Sequence, residues 1–149
     1  MQITEVKSDK KRYLDLLLLA DEQEDMIDRY LERGTMYVLD DDGVKAECVV
    51  TEEPGETLEI KNIATAPGHQ GKGYGRMLLD FIAKTYAGQY RLLQVGTGDS
   101  PLTIPFYEKC GFVRSHVVKD FFTDHYDHPI YECGVRLIDM IYLQKKLRR

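Results

Sequence analysis

Gln70-Gly71-Lys72-Gly73-Tyr74-Gly75 is the stretch that decides how the rest of the chain is read. It lies between two segments of different periodicity. Residues 58–64 (LEIKNIA) read as a strand, and a Pro67-Gly68 break follows them. Residues 76–86 (RMLLDFIAKTY) place Met77, Leu78, Phe81 and Ile82 at one-face helical spacing. Glycines at alternate positions carry no Cβ atoms, so several backbone N–H groups can turn toward one concave spot. The helix start adds unpaired amides and the positive end of its dipole. Strand, glycine turn and helix start together predict an anion site, most often one for phosphate.

Outward from the turn, the chain alternates strand and helix signals. Residues 2–6 alternate polar and apolar as a short strand. Ser8-Asp9 can cap a helix over 10–20, whose run Leu16-Leu17-Leu18-Leu19 calls for burial. A second helix is expected over 22–33, with Met26, Ile27, Tyr30 and Leu31 on one face and a stop at Gly34. Residues 35–39 and 44–51 form a hairpin around Asp40-Asp41-Asp42-Gly43. Downstream, 90–95 is a strand, 96–101 (GTGDSP) a loop, and 104–110 a short helix closed by Gly111. Residues 112–122 and 135–147 read as the last strands, with a polar, aromatic segment between them. The expectation is a single α/β domain over 1–149, its sheet mixed or largely antiparallel and its helices packed on it.

Bulk properties narrow the partners. A chain of 149 residues can bury roughly 70% of its unfolded surface. A net charge of −5 argues against general nucleic-acid binding and is compatible with a cationic or amine partner. No apolar run approaches the ~18 residues that span a bilayer. The N-terminal MQITEVKSDKKRY lacks a hydrophobic signal core. Cys48, Cys110 and Cys133 are an odd set at unrelated spacings, which favours reduced thiols and a cytoplasmic location.

Two familiar phosphate templates fail. The dinucleotide pattern GxGxxG breaks at Arg76, and the P-loop pattern breaks because Gly73 follows Lys72. What remains, IATAPGHQGKGYGRMLLDFI, resembles the coenzyme A-binding core of the GNAT family of N-acetyltransferases. That family's pattern is [RQ]-x-x-G-x-[GA], filled here by Gln70, Gly73 and Gly75. Phe106-Tyr107-Glu108-Lys109-Cys110-Gly111-Phe112 resembles its Tyr-x-x-x-Gly-Phe segment. The resemblance implies a GNAT-like fold, with a central mixed, largely antiparallel sheet of about seven strands flanked by about four helices.

It also implies acetyl-CoA as cosubstrate and an amine as acceptor. The coenzyme A pyrophosphate is expected on amides of Gln70, Gly71, Lys72, Gly73, Tyr74 and Gly75, with Lys72 and Arg76 adding charge at the rim. The pantetheine arm is expected beside Ile63, Ala64 and Thr65, where a backbone N–H can stabilise the oxyanion of the attacked thioester. An alkylammonium with a pKa near 10 lies about 4 kcal/mol from its neutral form at pH 7, so a base is needed. Glu59 is the first candidate, with Asp99, Asp124 and His125 as alternatives; strand alternation puts Glu59, Lys61 and Ile63 on one face. Tyr107 stands at the family's position for protonating, or hydrogen-bonding to, the departing sulfur.

Many family members carry an Asn after the fifth strand that contacts the pantetheine; here Ser100 is the candidate replacement. The His125-x-x-His128 pair fits no strong zinc template, and no metal is expected. Asp21, Glu22, Glu24 and Asp25 either complement a helix dipole or attract a cationic acceptor. Residues 10–34 and 123–134 are expected to shape the acceptor pocket. The aromatic C-terminal third reads as core or as a homodimer surface. A non-catalytic acyl-CoA sensor or scaffold with the same fold stands beside the enzyme as the alternative.

Overall fold

The computed structural model describes residues 1–147; the last two positions of the expected 1–149 domain lie outside the described residues. In chain order the elements are β1 (Gln2–Val6), a 3-10 turn (Lys10–Tyr13), α1 (Leu14–Ala20), α2 (Glu24–Ile27), β2 (Thr35–Asp40), β3 (Val44–Glu53) and β4 (Thr57–Thr65). They continue with α3 (Tyr74–Tyr86), β5 (Leu92–Gly98), α4 (Ile104–Lys109), β6 (Val113–Val118), α5 (Phe121–His125), β7 (Tyr131–Glu132), β8 (Val135–Arg136) and β9 (Met140–Lys146). Seven strands form one sheet in the order β1-β2-β3-β4-β5-β9-β6, and β7 and β8 pair separately. Every neighbouring pair in the large sheet is antiparallel except β4 and β5. The mixed, largely antiparallel expectation is met.

Each sheet face buries its own apolar layer. Leu58, Ile60, Leu93 and Leu143 pack with Leu78 and Ile82 of α3 on one face. Met36, Val38 and Val49 pack with Leu17 of α1 and with Ile27 and Leu31 on the other. α1 buries only Leu17 fully among its leucines, and Leu19 is exposed, so the expected burial of the whole Leu16–Leu19 run does not occur. The second helix is also shorter than its periodicity suggests. After α2, residues 28–33 continue as turns. The buried Lys10 ammonium donates to the carbonyls of Leu31 (2.9 Å) and Gly34 (2.7 Å), closing the segment on a side-chain cation.

The C-terminal third departs most from the sequence pattern. β6 stops at Val118, and Asp120 turns at φ +56° with its N–H held by Asp139 Oδ1 at 2.9 Å. That turn starts α5 inside the segment expected to be strand. Beyond it, Leu137 donates its N–H to the Ile130 carbonyl, so the final strand divides into β8 and β9. Phe122, Ile130 and Leu137 make a small core of their own under this segment.

β4 holds the feature that positions the site. Val49 pairs with Asn62 while its neighbour Val50 pairs with Ile60, leaving Lys61 as an extra, bulged residue. The simple alternation of Glu59, Lys61 and Ile63 on one face therefore fails. Ile60 and Ile63 both pack on the α3 layer, and Asn62 turns to the α1 side, where it bonds to the Leu17 carbonyl.

Candidate active site

β4 and β5 run in parallel register from Thr57–Leu92 to Ile60–Val95 and then separate. Their divergence opens a cavity of about 600 Å³. One wall is β4 from Ile60 to Thr65, and the facing wall is Val95 to Gly98 with Thr103 and Tyr107. The far end is closed by the C-terminal end of α1, with Asp21 and Glu22, and by the segment carrying Phe122, Tyr126 and Glu132.

Gln70, at the start of the glycine turn, borders the same cavity. Gly71 and Gly73 adopt φ of +81° and +85°, and no neighbouring atom lies within 3.9 Å of where their Cβ atoms would be. The backbone is left-handed and open at both positions, a concavity lined with N–H groups. Between His69 and Met77, whose N–H groups bond to Ala66 and Gly73, no amide of the turn donates to a described residue. Gly75 has a different reason to be glycine: a Cβ there would sit 3.2 Å from the Phe106 ring of α4. The Tyr74 side chain points away from the turn, donating its hydroxyl to Asp41 Oδ2 at 2.6 Å. Lys72 and Arg76 are exposed at the rim. A thirteen-residue helix starting at an unpaired, left-handed turn suits a bound pyrophosphate.

Tyr107 is buried, and its ring packs edge-on against Phe106 and Phe112 at 5.2 and 5.7 Å. Its hydroxyl makes no hydrogen bond to a described residue, and the residue lines the cavity. Burial pushes the phenol well above its ordinary pKa, so it holds its proton at neutral pH.

Glu59 is buried, its Oε2 ion-paired with Lys61 at 2.8 Å and its Oε1 accepting from Gln94 Nε2 at 2.7 Å. It lies one residue before the last β4–β5 pair and outside the cavity wall. Ser100 is buried in the turn after β5, where its Oγ accepts the Leu102 N–H at 3.1 Å; Gly96, Thr97 and Gly98 face the cavity instead. Asp99, Asp124 and His125 are exposed and off the cavity wall, and His125 is stacked on Phe121. Among the described residues, no group of three or more metal-ligating side chains converges.

Sequence reasoning missed a polar ladder at the far end. Asp21 accepts the hydroxyls of Tyr126 at 2.6 Å and Tyr30 at 3.1 Å. Tyr30 in turn accepts from Asn62 Nδ2 at 3.0 Å. Burial raises the Asp21 carboxyl above the usual range, and the two tyrosines partly offset it. Asn62 Oδ1 and both oxygens of the fully buried Glu47 have no partner among the described residues. The signal available in sequence was a polar residue inside each of two apolar strands, Glu47 before CVV and Asn62 before IA.

Residues 32–114 match the family model described as an acetyltransferase (GNAT) domain. An N-acetyltransferase of Bacillus subtilis strain 168, YvbK, named as uncharacterized, is 40% identical over 132 residues, covering 87% of this chain and 85% of that protein. A GNAT family acetyltransferase from Elizabethkingia anophelis, solved with acetyl-CoA bound, superposes with a TM-score of 0.92 at 36% identity, covering 98% of this chain and 97% of its own. A Bacillus subtilis acetyltransferase solved in complex with CoA gives a TM-score of 0.88 at 37% identity, covering 98% of both chains. The chain belongs to the GNAT family of N-acetyltransferases. No helix among the described residues is long and apolar enough to cross a membrane.

Proposed function

We propose that the chain transfers an acetyl group from acetyl-CoA to a primary amine of a small molecule or peptide, by direct attack of the amine on the thioester. The observation that carries this reading is one cavity bordered by Gln70 of the open glycine turn, by a parted strand edge and by a buried tyrosine. In it, the pyrophosphate lies on amides from Gln70 to Gly75, with Lys72 and Arg76 supplying charge at the rim. The pantetheine arm takes the place that β5 leaves beside Ile63, Ala64 and Thr65, pairing with the free edge of β4 as an added strand would.

The amine nitrogen attacks the acetyl carbon, the C–N bond forms, the C–S bond breaks, and the proton that the new amide nitrogen sheds passes through water to the departing thiolate. A backbone N–H on the β4 edge stabilises the oxyanion. The ammonium must first lose a proton, and Glu59 receives it by way of water in the cavity. Lys61 and Gln94 fix the orientation of that carboxylate. Tyr107 donates a hydrogen bond to the departing sulfur. Full proton transfer from a phenol raised by burial to a thiolate whose acid has a pKa near 8.5 is uphill, so the hydrogen bond is the contribution that counts.

The test is turnover of acetyl-CoA across a panel of primary amines, peptide N-termini and amino sugars, read as thiol release and as acetylated product by mass. Acetyl-CoA binding with no product from any acceptor would refute the proposal.

A further inference from the structure

Acetyl transfer moves two protons, one before the attack and one after it, and the cavity wall offers a carboxylate for the second. Glu132 lines the cavity, is half-buried, and makes no hydrogen bond or ion pair with a described residue. The other carboxylates nearby are engaged or outlying. Asp21 accepts the Tyr30 and Tyr126 hydroxyls. Glu59 stands off the wall, fixed by Lys61 and Gln94. Glu22 is exposed beside the end of α1.

The β7–β8 hairpin sets the position of Glu132. Leu137 donates its N–H to the Ile130 carbonyl at 2.8 Å, and Glu132 pairs with Val135 across a two-residue turn. The turn residues Cys133 and Gly134 adopt φ of +51° and +75°, the positive values that a tight hairpin requires. The base of the hairpin rests on β5. A Cβ on Gly98 would lie 2.6 Å from Leu137 Cδ1, and Leu137 packs with Phe122 and Ile130 as one small core. Glu132 is thus held by a short, braced arm beside the wall that carries Tyr107. Burial is the main cause that raises the Tyr107 phenol, and the Glu132 charge is among those that add to it. The carboxylate is therefore felt at the hydroxyl that meets the departing sulfur.

Once the amine has attacked, its nitrogen bears a positive charge while the sulfur gathers negative charge. Tyr107 gives the sulfur a hydrogen bond and keeps its own proton. A free carboxylate near both can take the proton from nitrogen and return it to the thiolate. Nitrogen then ends as a neutral amide, sulfur as a thiol, and the carboxylate is regenerated. A carboxylate beside a developing thiolate meets a like charge, and taking up a proton relieves it. A carboxylic acid is a stronger acid than a thiol, so the return to sulfur is downhill.

We infer that Glu132 is a catalytic residue that carries this second proton, through water, from the nitrogen of the tetrahedral adduct to the departing sulfur. This rests on the amine-acetylation reading above and adds the residue that completes its proton transfer. Glu132 lies outside the stretch 32–114 that matches the family model, so the assignment belongs to this chain's own hairpin.

The experiment is single turnover of acetyl-CoA-loaded protein with whichever of butylamine, glucosamine and an alanine-initiated tripeptide the parent acetylates fastest. Glu132→Gln keeps the size of the side chain but cannot carry the proton, and its rate should fall on the order of 100-fold. Its melting temperature should match the parent's, because the carboxylate has no partner to lose. Acetyl-CoA affinity by calorimetry should move less than threefold. Glu132→Asp should keep part of the rate, and added formate should rescue Glu132→Ala while leaving the parent unchanged. Equal losses in all three variants with no rescue by formate would mean a structural role and overturn the inference. A parent-like rate in Glu132→Gln would overturn it and leave amine acetylation standing. Acetyl-CoA binding by the parent with no turnover of any of the three amines would overturn both.

Discussion

Replacing Tyr107 by Phe separates chemistry from architecture at one atom. The ring stays, so its edge-on contacts with Phe106 and Phe112 at 5.2 and 5.7 Å stay too. The lost hydroxyl strands no partner, because it bonds to no described residue. Stability should therefore change by no more than about 0.5 kcal/mol, a melting shift of roughly 2 °C. The rate is another matter. A hydrogen bond to a charged atom contributes about 1.5–3 kcal/mol, and at about 1.4 kcal/mol per decade this predicts a 10- to 150-fold fall in the acetyl-transfer step.

Because burial keeps the phenol protonated, the deficit should be the same from about pH 6 to pH 9. The assay is single turnover: protein loaded with acetyl-CoA, mixed rapidly with amine, and followed by thiol release. Acetyl-CoA affinity, measured by calorimetry, should move less than threefold. A wild-type single-turnover rate in Tyr107→Phe would refute the role in leaving-group departure. A loss of affinity as large as the loss of rate would show that the hydroxyl holds the ground state instead.

Gly73→Ala forces a side chain onto a backbone at φ +85° with only Met77 Cε within 4 Å, so the effect is strain without collision; about 1–2 kcal/mol should be lost, read as weaker coenzyme A binding by calorimetry. Glu47→Gln tests the buried carboxyl, which burial raises well above its ordinary 4.5. A carboxyl raised in the folded state leaves stability unaffected below the unfolded value and erodes it as pH climbs above that value. The variant should therefore melt a few degrees higher than the parent at about pH 8, and the two should converge near pH 4; parallel melting curves at both pH values would refute the reading. Gly98→Ala would place a Cβ 2.6 Å from Leu137 Cδ1, pushing on the small core of Phe122, Ile130 and Leu137. About 1–3 kcal/mol of stability should be lost, and the amine KM should rise while acetyl-CoA affinity holds.

The donor half of the site was legible because its chemistry is local. A glycine turn, a helix start and a tyrosine before Gly111 carry their meaning within a few residues, and the structure brings Gln70, at the start of the left-handed turn, and Tyr107 to one cavity. The far end of the cavity depends on partners far apart in sequence. Tyr126 reaches Asp21 across 105 residues, and Asn62 reaches the Leu17 carbonyl across 45. Nothing in the neighbourhood of Asp21 distinguishes it from Glu22, Glu24 or Asp25 until Tyr30 and Tyr126 converge on it. The strand expected over 112–122 failed for a related reason: its apolar residues run on past Val118 to Phe121 and Phe122, but the Asp139 carboxylate captures the Asp120 amide and a helix starts there.

The bulge at Lys61 links the two halves. With regular alternation from Ile60, Asn62 would point into the apolar layer of Leu78 and Ile82, and Ile63 would face the polar side. A carboxamide buried there without partners would cost a few kcal/mol, so the order Ile60-Lys61-Asn62-Ile63 is compatible with this sheet only if one residue is extra. Inserting it exchanges the faces: Ile63 joins Ile60 against α3, and Asn62 meets Leu17 and Tyr30. A bulge also bends its strand and sharpens its twist, and the β4–β5 pairing ends at Ile60, immediately before it. The same extra residue thus accompanies the parting of β4 from β5 and turns Asn62 to the α1 side of the cavity. Two isoleucines three positions apart, where strict alternation calls for two or four, are its mark in the sequence.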